Sequence, residues 1–301
     1  MKSSGRGLAL LILATSLWGA SSAGIAGVGA RGFAAAPVAA GGAVALLAFA
    51  VVRGMDPWRD FRRSPGLFLW LGVLEVLNLV CYVAALHIGP LPVVVALHLT
   101  APVLMIITQI VRGRRAVTIA VTAELMAVGV AIWLVASHQS ADTALGPALA
   151  GCALAVASAA CVAGLITLVV RESAGRPSGS AAGLQLLTAS VLGAPLLGFA
   201  LLTGDGPSLG QTTALMVIGA LLLGPGFACY WLALRDLDEV LAGLVGLNEA
   251  VVATVTGAAV VGSDISAATL LAGALVLGAV GLELGGPDRF RAPSSRTPGT
   301  P

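Results

Sequence analysis

Long apolar runs separated by short polar segments make up most of the chain. Ten of these runs are about 20 residues long or slightly longer, the length that an α-helix needs to cross roughly 30 Å of hydrocarbon. They lie at 7–28, 33–52, 66–86, 90–111, 116–136, 147–170, 181–203, 211–234, 240–262 and 265–285. The runs are continuous and lack the polar and apolar alternation of a membrane β-strand, so they predict ten transmembrane helices.

The distribution of positive charge predicts how these helices are oriented. When the ten spans cross the membrane alternately, fifteen of the sixteen Lys and Arg residues fall on one side, and only Arg31 falls on the other. Because positive residues in short loops stay on the cytoplasmic side, both termini are predicted to be cytoplasmic. The composition, 58% hydrophobic and 10% charged, agrees with an all-α integral membrane protein.

The second half of the chain repeats the first at an offset of 148 residues. CYVAAL at 81–86 aligns with CYWLAL at 229–234. Each copy holds five spans, so the second copy crosses the membrane in the opposite sense, as in many secondary transporters. The predicted organisation is a cytoplasmic tail (1–6), a first five-helix repeat (7–136), an external linker (137–146), a second, inverted five-helix repeat (147–285) and a disordered cytoplasmic tail (286–301).

Carboxyl groups inside the apolar runs are the clearest candidates for chemistry. A charge near the bilayer centre costs about 2.5–3.5 kcal/mol on insertion scales, so such residues usually have a function. Glu75 in the third span and Glu249 in the ninth are predicted to be functional, since a carboxyl group that gains and loses a proton can carry it across the membrane. Glu124 lies in the fifth span, at the end of the first repeat, where a packing role is sufficient.

Other polar residues accompany these carboxyl groups. Asn78 and Tyr82 share one helix stripe with Glu75, at spacings of three and seven residues. Asn248 adjoins Glu249, and His98 lies in the fourth span. Gln109 and Gln185 are predicted to make hydrogen bonds between helices. The chain has no Walker A or HExxH motif, no soluble domain and no metal-ligand spacing among its four cysteines, so no enzymatic activity, cofactor or metal is expected.

Several short motifs resemble the drug/metabolite transporter superfamily, specifically its EamA-type ten-helix transporters. Leu17-Trp18-Gly19 resembles that family's Trp-Gly signature, and the stretch from Tyr82 to Pro102 resembles its aromatic-Ala-Leu sequence followed by a proline. Residues 247–250 (LNEA) resemble its Leu-Glu-Pro with Ala250 in place of the proline, and 262–266 (GSDIS) resemble its Gly-Glu-x-x-Ser with the acidic residue displaced. Within the family, 90–102 looks nearest to the threonine/homoserine exporter branch.

The resemblance implies a basket of helices in which spans three, four, eight and nine line a central cavity. It adds Tyr230 of the eighth span to the residues that would face substrate. The candidate substrate- and proton-binding residues are then Glu75, Asn78, Tyr82, His98, Tyr230, Asn248 and Glu249.

Together these observations predict a multi-pass transporter of the bacterial cytoplasmic membrane that exports a small polar metabolite, such as an amino acid. Proton antiport with alternating access is the expected mechanism. The expected partners are a small-molecule substrate, protons and the lipid bilayer, without nucleic acid; the oligomeric state is left open, a monomer included. Two alternatives remain: a proton-independent facilitator or uptake carrier, and a membrane scaffold or regulatory subunit that does not transport.

Overall fold

The chain folds into a bundle of apolar helices. The computed structural model describes residues 2–28, 35–88, 97–98, 100–113, 116–137 and 145–261, together with positions 267, 271, 274–275 and 278. Every regular element in this part of the chain is helical. Seven of its helices are long and apolar enough to span a membrane, so the protein is a multi-pass membrane protein.

The helix bounds follow the hydropathy pattern closely. The helices are α1 (Lys2–Val28), α2 (Ala35–Val52), α3 (Pro57–Arg63), α4 (Pro65–Ile88), α5 (Ala101–Val111), α6 (Ile119–Ser137), α7 (Leu145–Glu172), α8 (Ser178–Thr203), α9 (Leu209–Ile218), α10 (Gly224–Ala233), α11 (Glu239–Gly246) and α12 (Asn248–Val261). For the first, second, third, fifth, sixth and seventh predicted spans, the helix ends lie within five residues of the prediction. The predicted tenth span and C-terminal tail lie almost wholly outside the described residues, as does the start of the fourth span.

Three features of the backbone depart from a simple succession of spans. The short helix α3, between α2 and α4, was not predicted; its first turn is capped by Asp56, which accepts a hydrogen bond from the backbone N–H of Arg59 at 3.0 Å. The eighth span contains a π-helical segment, Gly219–Leu223, just before Pro225. The ninth span has one irregular turn, at Leu247, whose N–H bonds to the carbonyl of Leu244 at 3.2 Å and ends α11, although its dihedral angles remain those of a right-handed helix.

The largest interhelical contacts join the two halves of the chain. Helix α1 packs against α10 and α12, α2 packs against α8, and α4 packs against α7 and α8. Large side chains such as Leu11, Phe68 and Trp231 are completely buried between them. By contrast, Phe199 and Leu202 near the end of α8 are exposed, as expected for side chains in contact with lipid. This arrangement brings side chains from both halves into one interior.

Candidate functional site

Glu75 is the most buried carboxyl group of the described interior. It lies in the middle of α4 with 7% of its surface exposed. The amide nitrogen of Gln185, on α8, donates a hydrogen bond to the Oε2 atom of Glu75 at 3.2 Å. The Oε1 atom of Gln185 in turn accepts a bond from Nε1 of Trp231, on α10, at 2.9 Å. A buried chain of hydrogen bonds therefore links three helices, and Gln185 is the interhelical donor that the sequence predicted.

Glu249 lies in the first turn of α12, two residues after the irregular turn at Leu247. The hydroxyl of Ser22, on α1, donates a hydrogen bond to its Oε1 atom at 3.4 Å. Glu249 interacts electrostatically with Glu75 and Tyr82, and Glu75 interacts in the same way with Tyr230. The structure thus brings four of the predicted site residues, two from each half, around a common interior.

His98 and Asn78 form a second group that shares one serine, and Tyr82 lies beside His98. The Oγ atom of Ser158, on α7, lies 2.8 Å from Nδ1 of His98 and 2.7 Å from Oδ1 of Asn78. Asn78 Oδ1 can only accept, so the single hydroxyl proton of Ser158 goes to Asn78, and His98 Nδ1 is the donor toward Ser158. The ring of Tyr82 lies 4.3 Å from the His98 ring.

Tyr230 belongs to an aromatic cluster at the junction of α1 and α10. Its ring centroid is 5.0 Å from that of Trp18, which is itself 4.9 Å from Phe227. Two buried polar atoms of α1 border this region: Nε1 of Trp18 and Oγ of Ser21 have no hydrogen-bond partner among the described residues. An unpaired donor in an apolar interior costs free energy that a bound solute or water can recover.

Asn248 has a different environment from the other predicted site residues. Its amide nitrogen donates to the hydroxyls of Thr15 and Ser16, at 3.0 and 3.2 Å. Both partners belong to α1, so the Asn248 amide ties the start of α12 to that helix. Glu124 lies on α6, and its side chain is outside the described part of the structure.

The sequence did not indicate Ser22 and Ser158 as site residues. A serine in a transmembrane helix often bonds to a carbonyl of its own helix, so an isolated serine in an apolar run is a weak signal. Only the packing of α7 against α4, and of α1 against α12, gives these two hydroxyls partners on other helices. Within the described residues, no group of three or more His, Cys, Asp and Glu side chains is arranged to hold a metal ion.

Comparison with known proteins finds a similar fold but no family to which the chain can be assigned. No protein-family model matches the chain, and no curated protein matches it. One solved structure, described only as the crystal structure of a protein, superposes with a TM-score of 0.72 at 17% sequence identity. The match covers 94% of this chain and 97% of the other. The helical architecture therefore also occurs, over nearly its full length, in an experimentally determined structure.

Proposed function

We propose that this chain is a secondary transporter of the drug/metabolite transporter type, which exports a small polar metabolite across the cytoplasmic membrane of a bacterium by proton antiport. The observation that carries the proposal is the pair of carboxyl groups, Glu75 and Glu249, that face one interior from opposite halves of the chain. Each has a neutral hydrogen-bond donor, and neither has a Lys or Arg partner among the described residues. Such carboxyl groups can exchange protons during a transport cycle.

The pairing of helices supports an inverted repeat. If residues 7–136 and 147–285 are equivalent copies, α1 corresponds to α7, α2 to α8, and α4 to α10 with the preceding π segment. The contact between α1 and α10 then corresponds to the contact between α7 and α4, and the contact between α2 and α8 corresponds to itself. Exchange of conformations between two such copies converts an inward-open state into an outward-open one.

The residues around the two carboxyl groups have separate roles in the proposed transport cycle. In the proposed cycle Glu249 or Glu75 alternates between proton and substrate, while His98, Asn78 and the two tyrosines position the substrate. The chain acts as a carrier rather than as an enzyme.

The test is efflux of a mixed pool of small metabolites from proteoliposomes, followed by mass spectrometry with and without a proton gradient. We expect the gradient to accelerate the loss of one solute, and we expect Glu75→Gln and Glu249→Gln each to abolish that acceleration. Glu172→Gln is the control, since Glu172 pairs with Arg171 and Arg176 at the end of α7 and should leave efflux unchanged.

Other results would favour the alternatives. Equal efflux with and without the gradient would indicate a facilitator or an uptake carrier. Absence of any solute loss through the wild-type protein would favour the membrane scaffold or regulatory subunit. Gradient-driven efflux that persists in both single variants would contradict the assignment of proton exchange to Glu75 or Glu249.

A further inference from the structure

The helix α3 carries a cluster of arginines that the proposed transport function does not use. It connects the end of α2 to the start of α4, so it lies at the membrane surface. Its seven residues, PWRDFRR, contain two aromatic rings and three arginines. Trp58, Arg59, Arg62 and Arg63 are all exposed.

Contacts of Phe61 and Asp60 hold α3 against the bundle. The ring of Phe61 lies 6.2 Å from the ring of Phe68 on α4. Asp60 accepts a hydrogen bond of 2.6 Å from the hydroxyl of Ser180 on α8. The position of the arginines relative to the membrane-spanning helices is therefore fixed by packing.

The charges of α3 are not balanced within the described part of the chain. The carboxylate of Asp56 accepts a hydrogen bond from the backbone N–H of Arg59, and the carboxylate of Asp60 accepts one from the hydroxyl of Ser180. No carboxylate in that part of the chain pairs with the guanidinium groups of Arg59, Arg62 and Arg63. Their side chains, with those of Asp56 and Trp58, line an open groove of about 450 Å³. Three positive charges against one negative charge make this groove selective for anions.

The exposed aromatic residues near the groove indicate that the anion belongs to a lipid headgroup. Trp58 is 58% exposed, and the guanidinium of Arg62 lies over its ring at 4.8 Å. Trp70, five residues into α4, is 63% exposed. Exposed tryptophans gather at the level of lipid headgroups, where their rings contact both chains and water. Arginines bind phosphate through charge-assisted hydrogen bonds.

We propose that the groove of α3 binds the phosphate of an anionic phospholipid headgroup. Arg59, Arg62 and Arg63 contact the phosphate, and Trp58 inserts at the headgroup level beside it. Each basic residue near an anionic membrane surface adds to the attraction, so loss of all three arginines should weaken binding by on the order of 100-fold.

The experiment uses the full chain in nanodiscs of phosphatidylcholine, with phosphatidylglycerol added in steps, and native mass spectrometry of the lipids that remain bound. We expect the wild-type protein to retain phosphatidylglycerol in preference to phosphatidylcholine, and the variant R59Q/R62Q/R63Q to lose that preference. The matched control is R6Q/R112Q/R171Q, which removes three exposed arginines elsewhere and should keep it. If the first triple variant does not fold, R59Q/R63Q makes the same comparison and leaves the contact between Arg62 and Trp58 intact.

Three results would overturn the proposal. The first is wild-type protein that shows no preference for phosphatidylglycerol. The second is an equal loss of the preference in both triple variants, which would indicate a general effect of charge. The third is displacement of the bound lipid by millimolar inorganic phosphate, because the groove would then be a site for free phosphate. None of these readouts depends on transport, so they test the lipid site separately from the proposed function.

Discussion

Gly19 of α1 lies directly against the backbone of α12 at Glu249. A methyl group at Gly19 would stand 2.6 Å from the carbonyl oxygen of Glu249 and 2.8 Å from the backbone nitrogen of Ala253. Backbone atoms cannot rotate aside as the end of a flexible side chain can. The missing side chain of Gly19 therefore allows α1 to come close enough for Ser22 to reach the carboxyl group of Glu249.

The substitution Gly19→Ala tests this close approach. It should lower the stability of the protein by about 1–3 kcal/mol, the usual cost of inserting atoms into a packed interior, and reduce proton-driven efflux by moving Ser22 away from Glu249. Thermal unfolding in detergent and efflux from proteoliposomes measure the two effects. Gly129→Ala on α6 is the control: no atom lies within 4 Å of its added methyl group, and alanine there should favour the helix. Equal effects of both changes would show that the contact with Glu249 is unimportant.

The buried chain from Trp231 through Gln185 to Glu75 predicts energetic coupling. Gln185→Leu leaves Trp231 Nε1 and Glu75 without their partner, and should destabilise the protein by about 1–3 kcal/mol. Combined with Glu75→Gln, its effect on the free energy of unfolding should differ from the sum of the single effects. As a control, Glu75→Gln combined with Gln109→Leu should be additive, because Gln109 bonds to Glu239 instead. Additivity in both pairs would contradict the chain of hydrogen bonds.

Ser158 should act by positioning His98 and Asn78. In Ser158→Ala both side chains lose the shared hydroxyl, at about 0.5–1.5 kcal/mol for each net hydrogen bond, so we expect both a lower free energy of unfolding and a several-fold rise in the KM for efflux. Ser190→Ala removes another interhelical bond, to the carbonyl of Ala36 at 3.1 Å, and should leave the KM unchanged. A KM that rises equally in both variants would point to a general effect of packing.

Substitution of Asn248 distinguishes a role in helix packing from a role in substrate binding. Asn248→Ala removes two hydrogen bonds to α1, so it should lower the free energy of unfolding by about 1–2 kcal/mol and change the substrate KM little. Denaturation in detergent and initial efflux rates give the two quantities. Unchanged stability together with a higher KM would instead support direct substrate binding by Asn248, as the sequence predicted.

The positions of the long helices could be predicted from the sequence because the bilayer sets both their length and their apolar character. The irregular turn at Leu247 could not, because leucine favours a continuous helix and the glycine before it, Gly246, is a common residue inside transmembrane helices. Helix α3 was missed for the opposite reason: it is polar and too short for a hydropathy window, and it depends on the Asp56 cap and on the contacts of Phe61.

In the candidate site, too, some residues could be predicted from the sequence and others could not. Glu75 and Glu249 were identified because charge in an apolar span is costly wherever the helix packs. Their partners were harder to identify, because Ser22 and Ser158 acquire a role only through contacts between residues far apart in the chain. Gln185 is intermediate: a buried amide must find a hydrogen bond, but the sequence could not indicate that its partners are Glu75 and Trp231.

The π-helical segment Gly219–Leu223 has a geometric consequence for the helix that follows it. A π turn holds about one residue more than an α turn. If this segment adopted the α-helical pitch, the extra residue would shift into the helix that follows it. Helix α10 would then turn by roughly 100° and move along its own axis by about 1.5 Å. Trp231 would then face away from Gln185, and a neighbouring position would take its place. A change of this segment from π-helical to α-helical pitch would therefore rotate the C-terminal half of the eighth span while both ends of the span remained helical.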